Sequence, residues 1–439
     1  MSSSSSPAKS WADDLKAAVE ALADGSLSAR AYCEACLERV RASEASISAW
    51  VALDEGRALA IAATRDVRDA RGALHGIPVG VKDIFDTDDL PTEMGSPAFV
   101  GNRPAKNAQV VERIVAAGGY ALGKTATAEF AYMHPAETRN PWNPLHTPGG
   151  SSSGSAAAVA AGHVPVAVGT QTNGSVIRPA AYCGVVGFKP TLDTLPIQGV
   201  LPFAETLDHV GVFARSVADA AYFTACLVEP GTFPGEVDPL SRPPVIAVLP
   251  RFPWNSAERD AAAHLQATLA RLRGAGTEVK ELDLPEDFED AKQVHRTIML
   301  YEGAREHGPR QAVHGRVMSA ELNAAIDEGL AMSHREYREA LARRAALAEM
   351  ALDLFADCDA IASLPAPGAA PARLDVTGDP SFCTLWTLIG FPAITLPTGL
   401  SEARLPFGIQ LAASAHDDLR LLRVARWCEA ALGFERPSR

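Results

Sequence analysis

Three side chains in this sequence have types and surroundings suited to activating a hydroxyl group. Ser175 ends a turn formed with Thr172, Asn173 and Gly174, Ser151 opens the turn GGSSSGS at its first serine, and Lys82 lies in the apolar run GIPVGVKDIF. A serine hydroxyl is a weak nucleophile until a base takes its proton, and lysine is an established alternative to histidine in that role. A lysine withdrawn from water suits the task because burial disfavours the ammonium and lowers its pKa toward neutrality. Taken by itself, the Lys82 segment also suits a strand-end lysine with its charge in water or paired with Asp83 or Asp86. Ser175 is read as the nucleophile, and the amides of its turn as donors to a developing oxyanion.

The elements that must position these groups follow from the pattern around them. The stretch Thr147 to Thr191 is dominated by Gly, Ala, Ser, Thr and Val. Such residues suit places where backbones approach each other or a ligand closely, and without that need glycine is costly because it loses more conformational freedom on folding than any other residue. Strands are expected at GIPVGVKDIF, YALGK, VPVAVGT, PPVIAVLP, DAIASLPAP, LPFGIQLAA and the end of LWTLIGFPAITLP. Helices are expected over much of 11–71, at 107–117 and 155–162, in SVADAAYFTACLV and SAERDAAAHLQATLARLRGAG, over much of 288–356, and in DDLRLLRVARWCEAAL. This alternation predicts an α/β protein with a mixed, largely buried sheet. Residues 1–10 read as a disordered Ser-rich tail and 11–439 as a single domain, with a largely helical region at about 255–356 as the candidate cap over the site.

Composition narrows the partners. With 439 residues, a formal charge of −13 and 47% hydrophobic content, the chain reads as soluble and globular, without the basic face that nucleic acid or an anionic membrane requires. Seven cysteines without disulfide-like spacing fit a cytoplasmic protein. Cys33 and Cys36 form a CxxC inside a helical pattern with no second pair, and no histidine pair has zinc-motif spacing, so no metal is expected. Gly118, Gly123, Lys124 and Thr125 match the letters of a phosphate loop, but a helix leads into a strand there, the reverse of the required order. Gly150, Ser152 and Gly154 match a nucleophile elbow, but the preceding NPWNPLHTP is a loop, not a strand.

The lysine-bearing strand, the GGSSSGS turn and the Gly-rich turn ending in serine occur together. GIPVGVKDIFDT, LGKTATAEFA, NPWNPLHTPGGSSSGSAAAVAAG and GTQTNGSVIRPAAYCGVVGFKPT, with weaker matches in LDHVGVFARSVADAA, WTLIGFPAITLPTG and LPFGIQL, make the chain resemble the amidase signature family from about residue 10 onward. The resemblance implies a Ser-cisSer-Lys triad of Ser175, Ser151 and Lys82, with an oxyanion hole from the amides of Thr172, Asn173, Gly174 and Ser175. It also implies an α/β/α sandwich around a mixed sheet of about eleven strands, no cofactor, and hydrolysis of a linear amide C–N bond through an acyl-enzyme. A possible homodimer is expected.

Two departures stand out. The family's usual GTDTGGSIR is GTQTNGSVIR here, so Gln171 replaces an acid, Asn173 replaces a glycine, and Arg178 lies one position further from the nucleophile. An asparagine at 173 could adopt a positive φ. The SVIRPAAYCG stretch is similar to malonamidase-type members, which act on amides of small dicarboxylic acids. Arg178 is therefore read either as the partner of a substrate carboxylate or as a tie between the loop and a neighbouring carbonyl or acid. The expected substrate is a small amide bearing a carboxylate, malonamate-like. The alternatives are a transamidation subunit releasing ammonia from glutamine for a partner, and an amidase for allophanate-like, aliphatic or aryl amides.

Overall fold

The computed structural model describes residues 14–67, 72–229 and 231–434, so the tail expected at 1–10 lies outside the described residues. In chain order the first half holds α1 (Leu15–Asp24), α2 (Ala29–Ile47), β1 (Trp50–Leu53), α3 (Glu55–Asp66), β2 (Pro78–Lys82), α4 (Gln109–Ala116), β3 (Tyr120–Thr125), α5 (Ser153–Ala161), β4 (Val166–Gln171), α6 (Ile177–Cys183), β5 (Val186–Lys189), β6 (His209–Ala214) and α7 (Val217–Leu227). The second half holds β7 (Val245–Val248), α8 (Arg259–Gly274), β8 (Glu278–Glu281), α9 (Ala291–His314), α10 (Ala320–Ala331), α11 (His334–Ala351), β9 (Ala360–Ser363), α12 (Thr384–Leu388), β10 (Ala393–Leu400), β11 (Pro406–Ala412) and α13 (Asp418–Leu432).

All eleven strands join one sheet in the order β1-β3-β2-β4-β6-β5-β10-β11-β9-β7-β8. β2 runs parallel to both β3 and β4, whereas β4, β6, β5, β10, β11 and β9 pair antiparallel in succession. The expected mixed sheet of an α/β/α amidase-signature fold is therefore present. Its central strands are buried along their whole length, which is why β2 and β4 read as apolar runs rather than as alternating ones. The outermost β8, EVKE, is half exposed and charged, as an edge strand must be to discourage pairing with another chain.

α5 and α6 pack on each other and cover β2, β4, β10 and β11, while α7 and α13 pack together over β4, β5, β6 and β10. The small residues of the central stretch serve this packing. A Cβ on Gly154 would lie 2.3 Å from both Ala126 N and Ala49 O, and one on Gly169 would lie 2.6 Å from Ser152 Oγ. Any larger residue would push α5 off the strands that carry the site. α9, α10 and α11 pack on one another, and Ser333 and Glu336 form a reciprocal cap at the start of α11.

Candidate active site

Lys82 is the last residue of β2 and is fully buried. Its Nζ lies 2.8 Å from Ser151 Oγ and 2.8 Å from Thr170 Oγ1. Parallel pairing places Val81 of β2 opposite Val168 of β4, so Lys82 and Thr170 project from neighbouring strand ends. Burial pushes the Lys82 amine down to about 7, and the nearby Asp208 carboxylate opposes that shift. The alternative of an ion pair with Asp83 is excluded by the geometry, because Asp83 pairs with Lys124 at 3.4 Å.

Two other lysines are equally buried, and comparison with them is informative. Lys124 Nζ donates to the carbonyls of Phe85 and Pro91 and to the Thr92 hydroxyl, whose own proton goes to the Phe85 carbonyl, and Lys189 Nζ donates to the carbonyl of Phe391 at 2.6 Å. Carbonyl oxygens can only accept, so those amines are held as donors. The two partners of Lys82 are hydroxyls, which can also donate to a neutral amine. Lys82 is thus placed to receive a proton as well as to give one.

Ser151 follows a cis peptide bond from Gly150 and is 1% exposed. The Gly150 carbonyl accepts from Arg178 Nη2 at 2.7 Å. Ser175 is 8% exposed and, with Thr172, Asn173, Gly174 and Arg178, lines an open-mouthed cavity. Among the described residues, no hydrogen bond joins the hydroxyls of Ser151 and Ser175, and no protein group accepts from the amides of Asn173, Gly174 or Ser175. The structure therefore brings Lys82 and Ser151 into contact, while Ser175 and its turn face the cavity.

The two departures around this turn have structural roles. Gln171 Oε1 accepts from the amides of Val176 and Ile177 at 2.8 and 3.0 Å, and its Nε2 donates to Thr387 Oγ1. It holds the N-terminus of α6 to α12, a bond set in which an ionised acid could accept but not donate. Asn173 does not adopt the positive φ that its residue type would allow. Its Oδ1 accepts from Thr384 and its carbonyl accepts from Thr387 at 2.6 Å, so α12 fixes the turn from behind. Arg178 lies in the first turn of α6 rather than in a strand.

Three contributors escaped the reading of the sequence. Thr170, at the end of β4, is the second hydroxyl on Lys82. Asp208 is buried, accepts from the Thr172 hydroxyl and from the amides of Phe203 and Ala204, and is pushed up to about 6, chiefly by burial. His295 of α9 binds the Thr172 carbonyl through Nε2 at 2.8 Å, and burial depresses it to about 4, so it is a neutral donor. Asp208 lies in LDHVGVFARSVADAA, and that match to the family was the signal available for it.

The decoy motifs resolve as structure. Lys124 and Thr125 lie within β3, Ser152 Oγ is bound to the backbone of Thr170, and Cys33 and Cys36 are buried in α2. Among the described residues no cluster of His, Cys, Asp or Glu could hold a metal ion, and no helix is long and apolar enough to cross a membrane.

A family model described as Amidase matches residues 31–422. The chain is 34% identical over 461 positions to a glutamyl-tRNA(Gln) amidotransferase subunit of Chloroflexus aggregans, covering 93% of this chain and 94% of that protein. A crystal structure of an amidase superposes with a TM-score of 0.88 at 30% identity, covering 96% of this chain and 100% of that one. A peptide amidase from Stenotrophomonas maltophilia superposes with a TM-score of 0.83 at 29% identity, over 97% and 98% of the two chains. With likeness of sequence and of fold extending over nearly all of its length, the chain belongs to the amidase family and is an enzyme that hydrolyses amide C–N bonds.

Proposed function

We propose that the enzyme cleaves a small amide bearing a carboxylate, through an acyl-serine intermediate on Ser175. The observation that carries the carboxylate is the charge of the cavity wall. Arg178 is its one charged lining residue among the described residues, and its buried Nε and Nη1 have no hydrogen-bond partner. A buried guanidinium with unpaired N–H groups calls for an acceptor, and a substrate carboxylate supplies a charged one. The finer likeness to malonamidase-type members rests on this residue.

In the proposed cycle, neutral Lys82 takes the Ser151 proton while Ser151 takes that of Ser175, and Ser175 Oγ bonds to the amide carbon. The Ser175 and Ser151 hydroxyls close to hydrogen-bonding distance when substrate fills the cavity, since catalytic contacts commonly tighten only in the complex. The carbonyl electron pair moves onto oxygen, held by the amides of residues 172–175, each donor contributing about 3 to 4 kcal/mol. Collapse of the adduct breaks the C–N bond, and Ser151 delivers a proton to the departing nitrogen. Water then attacks the ester, passes its proton along the same path, and frees the acid and the Ser175 hydroxyl. No step calls on a cofactor.

Arg178 also supports the Gly150 carbonyl, so its removal has two separable effects. Arg178→Ala is expected to lower kcat for every amide, because the loop bearing Ser151 loses its tie. KM is expected to rise by about tenfold or more only for amides carrying a carboxylate, in line with the loss of one charge-assisted contact. Steady-state kinetics on malonamate and on a neutral amide of similar size test this. An equal rise in KM for both substrates would make Arg178 purely a tie.

Asp208 offers a second test. Its negative charge raises the pKa of Lys82, so Asp208→Asn should let that pKa fall further and move the acid limb of kcat/KM to lower pH. The same change loosens Thr172, so kcat should fall as well. An acid limb that stays in place would dissociate Asp208 from Lys82.

The amidotransferase relatives favour a second reading, a subunit that draws ammonia from glutamine for a partner. Free glutamine carries an ammonium group as well as a carboxylate, and no acidic side chain lines the cavity among the described residues to receive it. Glutaminase assays on the purified chain, with co-purification to look for a partner, distinguish the two.

A further inference from the structure

The cavity in front of Ser175 has two unlike sets of walls. One is polar, formed by Arg178, Thr377 and the nucleophile turn, and the other consists of Tyr132, Met133, Phe203 and Met299. The polar set accounts for a carboxylate and an amide. Nothing in a malonamate-sized substrate would occupy the second.

That second wall is built rather than incidental. His295, Met299, Gly303 and His307 fall at successive four-residue steps of α9 and so share one face of the helix. His295 holds the Thr172 carbonyl, Met299 lines the cavity, and Gly303 lets Phe203 lie against the helix, since a Cβ there would sit 2.9 Å from the Phe203 ring. The Phe203 ring stacks on Tyr132 with centroids 4.8 Å apart and planes 4° from parallel, and packs on His307 at 5.4 Å. Glu302 of α9 accepts from the amide and hydroxyl of Thr206, pinning the loop that carries Phe203. Rings fixed in this way present a preformed surface to a ligand and lose little freedom on binding.

We propose that this wall takes a flat apolar group, so that the substrate is an amide joining a carboxylate-bearing part to an aromatic or comparably flat part; this rests on the carboxylate-amide reading above. Two thioethers and two rings make a surface of high polarisability, and aromatic ligands pack well on both. The cleavage products would then be a small dicarboxylic acid and an aromatic amine, or an aromatic acid and a small amino acid, according to which side of the bond the ring occupies.

The test compares malonamic acid, its N-phenyl amide and neutral acetanilide, on the full-length wild-type chain, Met299→Ala and Ser175→Ala. Wild type should cleave the N-phenyl amide with kcat/KM at least tenfold above that of malonamic acid. Met299→Ala should remove most of that advantage, lowering kcat/KM for the N-phenyl amide several-fold more than for malonamic acid. Equal or better cleavage of malonamic acid by wild type would overturn the inference and leave the carboxylate-amide reading standing, as would an equal loss on both substrates in Met299→Ala. Acetanilide cleaved as well as the N-phenyl amide would overturn the role of Arg178 while leaving the apolar wall supported. Cleavage that persists in Ser175→Ala, or no cleavage of any of the three, would overturn both. An aromatic acyl group is tested in the same way with N-benzoylglycine against N-acetylglycine.

Discussion

Ser175→Ala is expected to lower kcat/KM by more than about 10⁴-fold, since loss of a serine nucleophile removes nearly all of the chemistry its partners support. The fold should scarcely notice. Among the described residues the Ser175 hydroxyl bonds to no protein group, so removing it leaves no buried donor or acceptor stranded. The expected change in unfolding free energy is within about 0.5 kcal/mol. Ammonia or amine release, measured beside a thermal melt, checks both halves of the expectation. Activity above a few per cent of wild type would refute Ser175 as the nucleophile.

Lys82→Ala is expected to lower kcat by about 10³ to 10⁴-fold, because the proton from the serine pair then has no base to reach. This variant also leaves Ser151 and Thr170 without their shared partner, so Lys82→Met, which fills the space without an amine, serves as control. Equal loss in both, with melts close to wild type for the methionine variant, would isolate the chemical role. The pH profile carries the same assignment by an independent route. Lys82 acts as a base only when unprotonated, and burial brings it down to about 7. Activity should therefore be full well above pH 7 and fall about tenfold per unit below it, as the amine gains its proton. A profile flat from pH 8 to pH 5 would rule out an amine base. Lys189 is also pushed down to about 7, but its Nζ donates to the carbonyls of Pro190 and Phe391 and bonds to no group of the proposed proton path, so Lys189→Met should leave the acid limb in place.

The site was legible in the sequence to the extent that its residues announce themselves locally. A lysine closing an apolar strand and serines set among glycines are unusual in themselves, and Lys82 and Ser151 do meet at 2.8 Å. Most strands and helices were legible for the same reason, since buried runs such as VPVAVGT and amphipathic ones such as DDLRLLRVARWCEAAL carry their periods openly. The elements missed are those with weak local signals. β5 and β6, VGFK and HVGVFA, are short and lie within a stretch better known by its motifs, β1 is four residues at one edge, and β8 is charged because it is the other edge. α6 hides behind Pro179 and the nucleophile turn. Thr170, His295 and Met299 were out of reach for another reason, and Asp208 was signalled only by the motif around it. Each acts across a contact between segments far apart in the chain, such as Thr172 with Asp208 or His295 with Thr172, and no local period marks which face of α9 meets the sheet.

The chain divides its labour between two regions. The proposed proton path and nucleophile turn come from β2, the loop before α5, and the end of β4, whereas Met299 and the footing of Phe203 come from α9, more than a hundred residues later. Part of the selectivity is thereby encoded apart from the residues proposed to do the chemistry. Recombination or drift confined to α9 could redirect the enzyme toward new substrates while the bond-breaking apparatus passes unchanged from one descendant to the next.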